Sequence, residues 1–140
     1  MDEQVKIWQR SRPSAPPPTD GLPALASGAL SRAALYNALA RQMQGPTRNI
    51  LMQLQDGEQH CARCIKGVYR LITEAPMQVA PVPPAFDKTE AALRKCYGQT
   101  LKAMLAYSSR GNDPEYGAVF ALLASQAQDH CCKLAELLGF

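Results

Sequence analysis

The chain contains two histidines, and each is followed by cysteine. His60 opens HCARC, with Cys61 and Cys64, and His130 opens HCC, with Cys131 and Cys132. Imidazole and thiolate are donors that suit zinc and copper(I). The stretches that carry the histidines, DGEQHC and QAQDHC, have nearly the same shape. Asp56 stands four residues before His60, on the same face of a helix. One chemistry open to these residues is therefore a metal site drawn from His60, His130, Asp56, Cys61, Cys64 and Cys131. The competing account is packing, because a free cysteine is usually buried and behaves as a small hydrophobe. HCARC is not CxxCH, so covalently attached haem is not expected. A Cys61–Cys64 redox couple is disfavoured, since thiols at this helical spacing usually lie too far apart for a relaxed disulfide.

Helices must position these residues. Ala29, Ala33, Tyr36, Ala40 and Met43 recur at spacings of four and three, which predicts a first helix over about 22–44. Gly45 ends it and Pro46 opens a second helix, about 46–73, with Ile50, Leu54, Gly57, Cys61, Cys64, Val68 and Leu71 inward. EAPMQVAPVPPAF (74–86) holds four prolines in thirteen residues and excludes a regular helix. Extended at about 3.1 Å per residue, it can cross the length of a bundle. A third helix is predicted over about 87–110, with Leu93, Tyr97, Thr100, Met104 and Tyr107 inward. GNDPEYG breaks it. Asp113 is the predicted N-cap, and Pro114 the first residue, of a fourth helix over about 114–138. Its inward stripe is Tyr116, Phe120, Leu123, Ala127, His130, Leu134 and Leu137. No segment alternates with period two, so no sheet is expected. Residues 1–21, with Pro13, Pro16, Pro17 and Pro18, are expected to be a flexible arm anchored by Ile7 and Trp8, and 22–140 a single domain.

Composition narrows the function classes. With 140 residues, 46% hydrophobic and 19% charged, the chain suits one ordinary globular domain. A net charge of +3 with scattered Lys and Arg gives no case for nucleic acid. The polar N-terminus lacks the apolar core of a signal peptide, and no apolar run approaches the roughly 20 residues of a membrane span. Five cysteines without an export signal are expected to be reduced thiols in a cytoplasm.

The two halves echo each other. Tyr36 precedes His60 by 24 residues and Tyr107 precedes His130 by 23, with a Pro-containing break inside each interval. That pattern suggests a duplicated helical hairpin. LYNALARQ, LQDGEQHCARCIKGVYRLIT and YSSRGNDPEYGAVFALLASQAQDHCCKLAELLG carry a resemblance over about 25–139. On these stretches the chain resembles the ferritin-like superfamily, and most closely its small rubrerythrin-like proteins.

The resemblance implies an all-α, ferritin-like four-helix bundle: two helical hairpins joined by a long Pro-rich crossover. It also implies a di-iron carboxylate centre, with one Glu from each of two helices and Glu-x-x-His from each of the other two. Iron in a dry bundle needs anionic oxygen ligands to neutralise it. Carried over, the motifs want Glu at 57 with His60 and Glu at 127 with His130, but the chain has Gly57 and Ala127. The internal repeat puts the other two positions at Ala29 and Thr100, so all four lack a carboxylate. The expectation is a vestigial metal site at Ala29, Gly57, His60, Thr100, Ala127 and His130, no cofactor, and loss of oxidase or peroxidase chemistry. No rubredoxin-like CxxC pair flanks the bundle, which also argues against a self-contained peroxidase. A structural, interaction or small-ligand-binding bundle is then expected. The alternatives are zinc, copper or residual iron on the His and Cys cluster, or a retained di-iron oxidoreductase of rubrerythrin type with substitute ligands. Lost carboxylates leave volume that Tyr36, Tyr107, Met43 and Met104 are expected to line or close, with the tyrosines or a water bonding the histidines. A homodimer is expected, with Leu35, Leu39, Val119 and Leu122 extending an apolar face and the arm embracing the partner.

Overall fold

The computed structural model describes residues 19–140, and they form four helices: α1 (Leu22–Ala40), α2 (Gly45–Thr73), α3 (Thr89–Ser109) and α4 (Gly117–Leu138). Among the described residues there is no strand and no helix long and apolar enough to cross a membrane. The arm predicted over 1–21 lies outside the described residues except for a turn at 19–21, and so do Ile7 and Trp8.

Three helix ends differ from the sequence expectation. α1 stops at Ala40 rather than near 44. Its chain tightens there into three-residue bonds, Gln42 N–H to the Leu39 carbonyl and Met43 N–H to the Ala40 carbonyl. The turn closes at Gly45, whose φ of 66° suits glycine and which opens α2 just ahead of Pro46. α3 begins at Thr89 rather than 87. α4 begins at Gly117 rather than Pro114, because Asp113 caps a turn instead of the helix. Its carboxylate accepts the backbone N–H groups of Glu115 (2.9 Å) and Tyr116 (2.7 Å). Those two bonds hold the Asp113 carboxyl below its ordinary range.

The buried faces follow the predicted stripes with local exceptions. Ile50, Cys64, Tyr97, Met104, Tyr116 and Leu137 are only half-buried, and Leu71 is 69% exposed. Buried Leu51, Glu58, Ala62 and Ile65 show that the inner face of α2 is rotated from the predicted one.

Two apolar clusters set the helix directions. One joins the start of α1 (Leu22, Ala26, Ala29), the second half of α2 (Cys61, Ile65, Val68), the end of α3 (Ala103, Tyr107) and the start of α4 (Phe120, Leu123, Ala127). The other joins the end of α1 (Tyr36, Leu39), the start of α2 (Leu51, Leu54), the start of α3 (Ala92, Leu93, Cys96) and Leu134 near the end of α4. Thus α1 runs parallel to α4, and α2 parallel to α3, with the two pairs opposed. The tight pairings are the hairpins α1 with α2 and α3 with α4; α2 touches α4 less, and α1 touches α3 least.

Parallel α2 and α3 require the chain to travel back along the bundle between them. Residues 74–88 do this. Met77 and Val79 pack on the first cluster and Phe86 on the second. On the way, Ser27 Oγ donates to the Ala80 carbonyl (3.3 Å) and Ser31 Oγ accepts from Val82 N–H (2.9 Å). The crossover therefore lies along α1.

Candidate functional site

Between the two apolar clusters lies one polar layer. Each helix contributes a single buried polar residue to it: Arg32, Glu58, Thr100 and His130, each at most 5% exposed. The register places them together, since 32 falls between Ala29 and Tyr36, 58 between Leu54 and Cys61, 100 between Cys96 and Ala103, and 130 between Ala127 and Leu134.

Three of the four are bonded to one another. Arg32 meets the Glu58 carboxylate with two bonds of 3.1 Å, Nε to Oε1 and Nη2 to Oε2. His130 Nδ1 stands 3.2 Å from Glu58 Oε1, and in the tautomer protonated there it donates to the carboxylate. Thr100 instead donates to the Cys96 carbonyl of its own helix at 2.7 Å. Burial alone would push the Glu58 carboxyl up. The bond from His130 and the Arg32 guanidinium more than offset this, and its pKa lies below the ordinary value. Burial opposes the charge of Arg32, but its attraction to Glu58 outweighs that and the pKa is raised. Glu58 and Arg32 are therefore an internal ion pair, and His130 satisfies a further lone pair of the carboxylate.

Gly57 makes room for this arrangement. A β-carbon there would stand 2.2 Å from His130 Nε2 and 2.7 Å from Cε1. The His130 ring occupies the space where any larger residue at 57 would begin.

Of the expected vestigial positions, Thr100 and His130 belong to this layer, and Ala29 and Ala127 to the first apolar cluster. Ala29, Thr100, Ala127 and His130 are buried, while Gly57 and His60 are half-buried. The histidines, paired in the sequence, part company in space. His60 Nδ1 faces the Gln126 side-chain amide of α4, 3.3 Å from Oε1 and 3.2 Å from Nε2. Cys61 Sγ donates to the same Oε1 at 3.4 Å, and Cys64 Sγ lies 3.7 Å from His60 Nε2. With Nδ1–H given to Gln126, Nε2 is left to accept from the Cys64 thiol. Neither histidine bonds a tyrosine. Tyr36 and Tyr107 are buried, and burial raises both pKa values; the Tyr36 hydroxyl lies beside the Cys96 thiol, and among the described residues the Tyr107 hydroxyl has no hydrogen-bond partner. Met43 and Met104 are half-buried.

Nor do the residues of the alternative metal set converge. His130 is turned to Glu58, His60 to Gln126 and Cys64, and Asp56 is exposed. Burial pushes the Cys61 thiol up to about 12 and raises that of Cys131. Among the described residues no three His, Cys, Asp or Glu side chains are grouped to hold a metal ion. A di-iron centre does not fit either. The four carboxylate positions hold Ala29, Gly57, Thr100 and Ala127, and the one carboxylate in the layer is already held by Arg32 and His130.

The inward stripes expected from the sequence include none of Arg32, Glu58 and Gln126. A signal for Arg32 was present. It stands three residues after Ala29 and four before Tyr36, on the inner stripe of α1.

A concavity lies elsewhere, between α1 and α3, where the helices touch little. It is a groove of about 1080 Å³, with residues 82–88 of the crossover along one side. Arg32 reaches it from the polar layer; Leu25 and Leu35 of α1 and Ala92, Cys96 and Ala103 of α3 supply apolar walls. None of Tyr36, Tyr107, Met43 and Met104 lines it.

The fold and site thus define an all-α four-helix bundle with a charged layer at its centre. Compared with protein families, characterised proteins and solved structures, the chain matches none.

Proposed function

We propose that the chain is a ferritin-like, rubrerythrin-like bundle that has exchanged a di-iron centre for an internal ion pair, and that it serves as a binding module rather than an oxidase or peroxidase. The observation that carries this reading is the Arg32–Glu58–His130 network at mid-bundle. A metal centre would bring positive charge to buried carboxylates. Here the guanidinium of Arg32 brings it, and the carboxylate positions are Ala29, Gly57, Thr100 and Ala127. The helix directions, with a crossover between parallel α2 and α3, support the ferritin-like part of the reading. The residues at the four carboxylate positions, Ala29, Gly57, Thr100 and Ala127, support the non-enzymatic part. A cytoplasmic setting agrees with five cysteines that are all free.

The test is anaerobic Fe(II) titration of the full chain, followed by exposure to oxygen and peroxide. The expected result is no stoichiometric iron binding and no turnover above that of free iron. Tight binding of two irons per chain, with oxidation of the bound pair, overturns the proposal.

A homodimer is also proposed. Leu122 of the expected face is 55% exposed and Val119 half-buried, whereas Leu39 is wholly buried and Leu35 lines the groove. The α4 side is therefore the face proposed for pairing, and sedimentation of Leu122→Glu as a monomer where the parent chain is a dimer is the expected outcome.

A further inference from the structure

We propose that the groove between α1 and α3 binds a small amphiphilic carboxylate, its apolar body along the groove and its anionic head against the lysines of α3 and the guanidinium of Arg32. This rests on the binding-module reading and names the ligand class it would take. The volume, about 1080 Å³, lies just above the roughly 300–1,000 Å³ usual for small-molecule sites, enough for a long chain.

Charge selects the ligand. Arg32, Lys88, Lys95 and Lys102 line the groove, against a single acid, Asp87. The lysines recur every seven residues; Lys95 and Lys102 share one face of α3, and Lys88 precedes its first turn. The three lysines are exposed while Ala92, Cys96 and Ala103 of the same lining are buried, a combination that suits an apolar tail with a negative head.

Arg32 adds direction. Its residue is 5% exposed. Nε and Nη2 are committed to Glu58, and Nη1 has no hydrogen bond to any described residue. Gly28 lies beside it: even a β-carbon there would stand 3.3 Å from Nη1, so the glycine keeps the approach clear. Because Glu58 already balances the charge of Arg32, the lysine row supplies the net attraction, and Nη1 supplies a fixed donor. A planar carboxylate matches such a donor edge.

The test is calorimetric titration of the full chain with dodecanoate, dodecanol and dodecyltrimethylammonium, all below micelle-forming concentrations. Dodecanoate is expected to saturate at one per chain, with dodecanol binding about tenfold more weakly, the worth of one charge-assisted contact. Lys95→Glu with Lys102→Glu is expected to weaken dodecanoate by about tenfold and leave dodecanol unchanged. Ala106→Trp, which fills the groove from α3, is expected to abolish both, with circular dichroism confirming the fold. Should that variant unfold, amide shift mapping of the parent chain with dodecanoate decides, and shifts confined to α1, α3 and 82–88 are expected. No saturable binding, equal binding of the cationic amphiphile, or a folded Ala106→Trp that binds normally overturns the proposal. A dimer that Ala106→Trp splits, in a chain that ignores dodecanoate, also overturns it and gives the groove to a second copy. Failure here is separate from failure of the binding-module reading, which the iron titration reports on its own.

Discussion

A β-carbon on residue 57 would fall 2.2 Å from His130 Nε2, so the most helix-favouring substitution is expected to harm the protein. Gly57→Ala gains roughly 1 kcal/mol of helix propensity. It must also displace a buried ring bonded to Glu58, and overpacking of this kind costs about 1–3 kcal/mol. Urea unfolding is expected to show net destabilisation, and a more stable variant would mean that His130 packs elsewhere. Nearby, thiol chemistry separates two neighbours. Cys61 is buried with its thiol pushed up to about 12, while Cys64 is half-buried beside His60. Mass-resolved alkylation by iodoacetamide is expected to label Cys64 well before Cys61, because Cys64 is the more exposed and the Cys61 thiol is held protonated by burial. Equal labelling of Cys61 and Cys64 would contradict the geometry. At this scale the sequence was only half legible. Glycine at 57 signalled a missing side chain, yet nothing in one strand of letters says that a ring from α4 fills its place. Arg32 was hidden because a lone arginine on a helix is ordinarily solvated, and its partner lies 26 residues away.

The polar layer is where the four helices depend on one another. Replacing Glu58 with Ala leaves Arg32 charged and unpaired in the interior, and is expected to cost about 3–5 kcal/mol in chemical denaturation. A loss below about 1 kcal/mol would mean the pair is not buried in solution. The sign with pH follows from the lowered pKa of Glu58. Its contribution is fully present above the ordinary carboxylate pKa and fades as pH falls through the folded-state value. The melting temperature of the parent chain should therefore drop on acidification, and that of Glu58→Gln should drop less. The crossover offers a test of a different element. Ser31 Oγ accepts from Val82 N–H and ties residues 74–88 to α1. Ser31→Ala is expected to cost about 1 kcal/mol and to speed proteolysis within 74–88; an unchanged cleavage rate would show that the tether is unimportant. The elements themselves were read well, because prolines at 76, 81, 83 and 84 exclude helix and the apolar spacing is helical on both sides. The ends were read less well where Asp113 caps a turn, since the same side-chain bonds serve a turn and a helix start.

Across the whole molecule, the two apolar clusters and the layer between them form a stack: apolar, charged, apolar. Helix count and the long crossover were written in the pattern of the chain. The contents of the layer were not, because which buried positions meet depends on how far each helix is rotated. The rotation of α2 turned Glu58 inward and left Cys64 half-buried. The same rotation separates His60 from His130, so the pair that looks like one site in sequence serves two neighbourhoods. The central claim is that Arg32 supplies the positive charge a metal would otherwise bring. Anomalous diffraction at the iron and zinc edges, from crystals grown with each metal, tests it most directly. The expected map has no anomalous peak at mid-bundle and shows Arg32 bonded to both oxygens of Glu58. A pair of peaks between His60 and His130, with Arg32 displaced from Glu58, would contradict it.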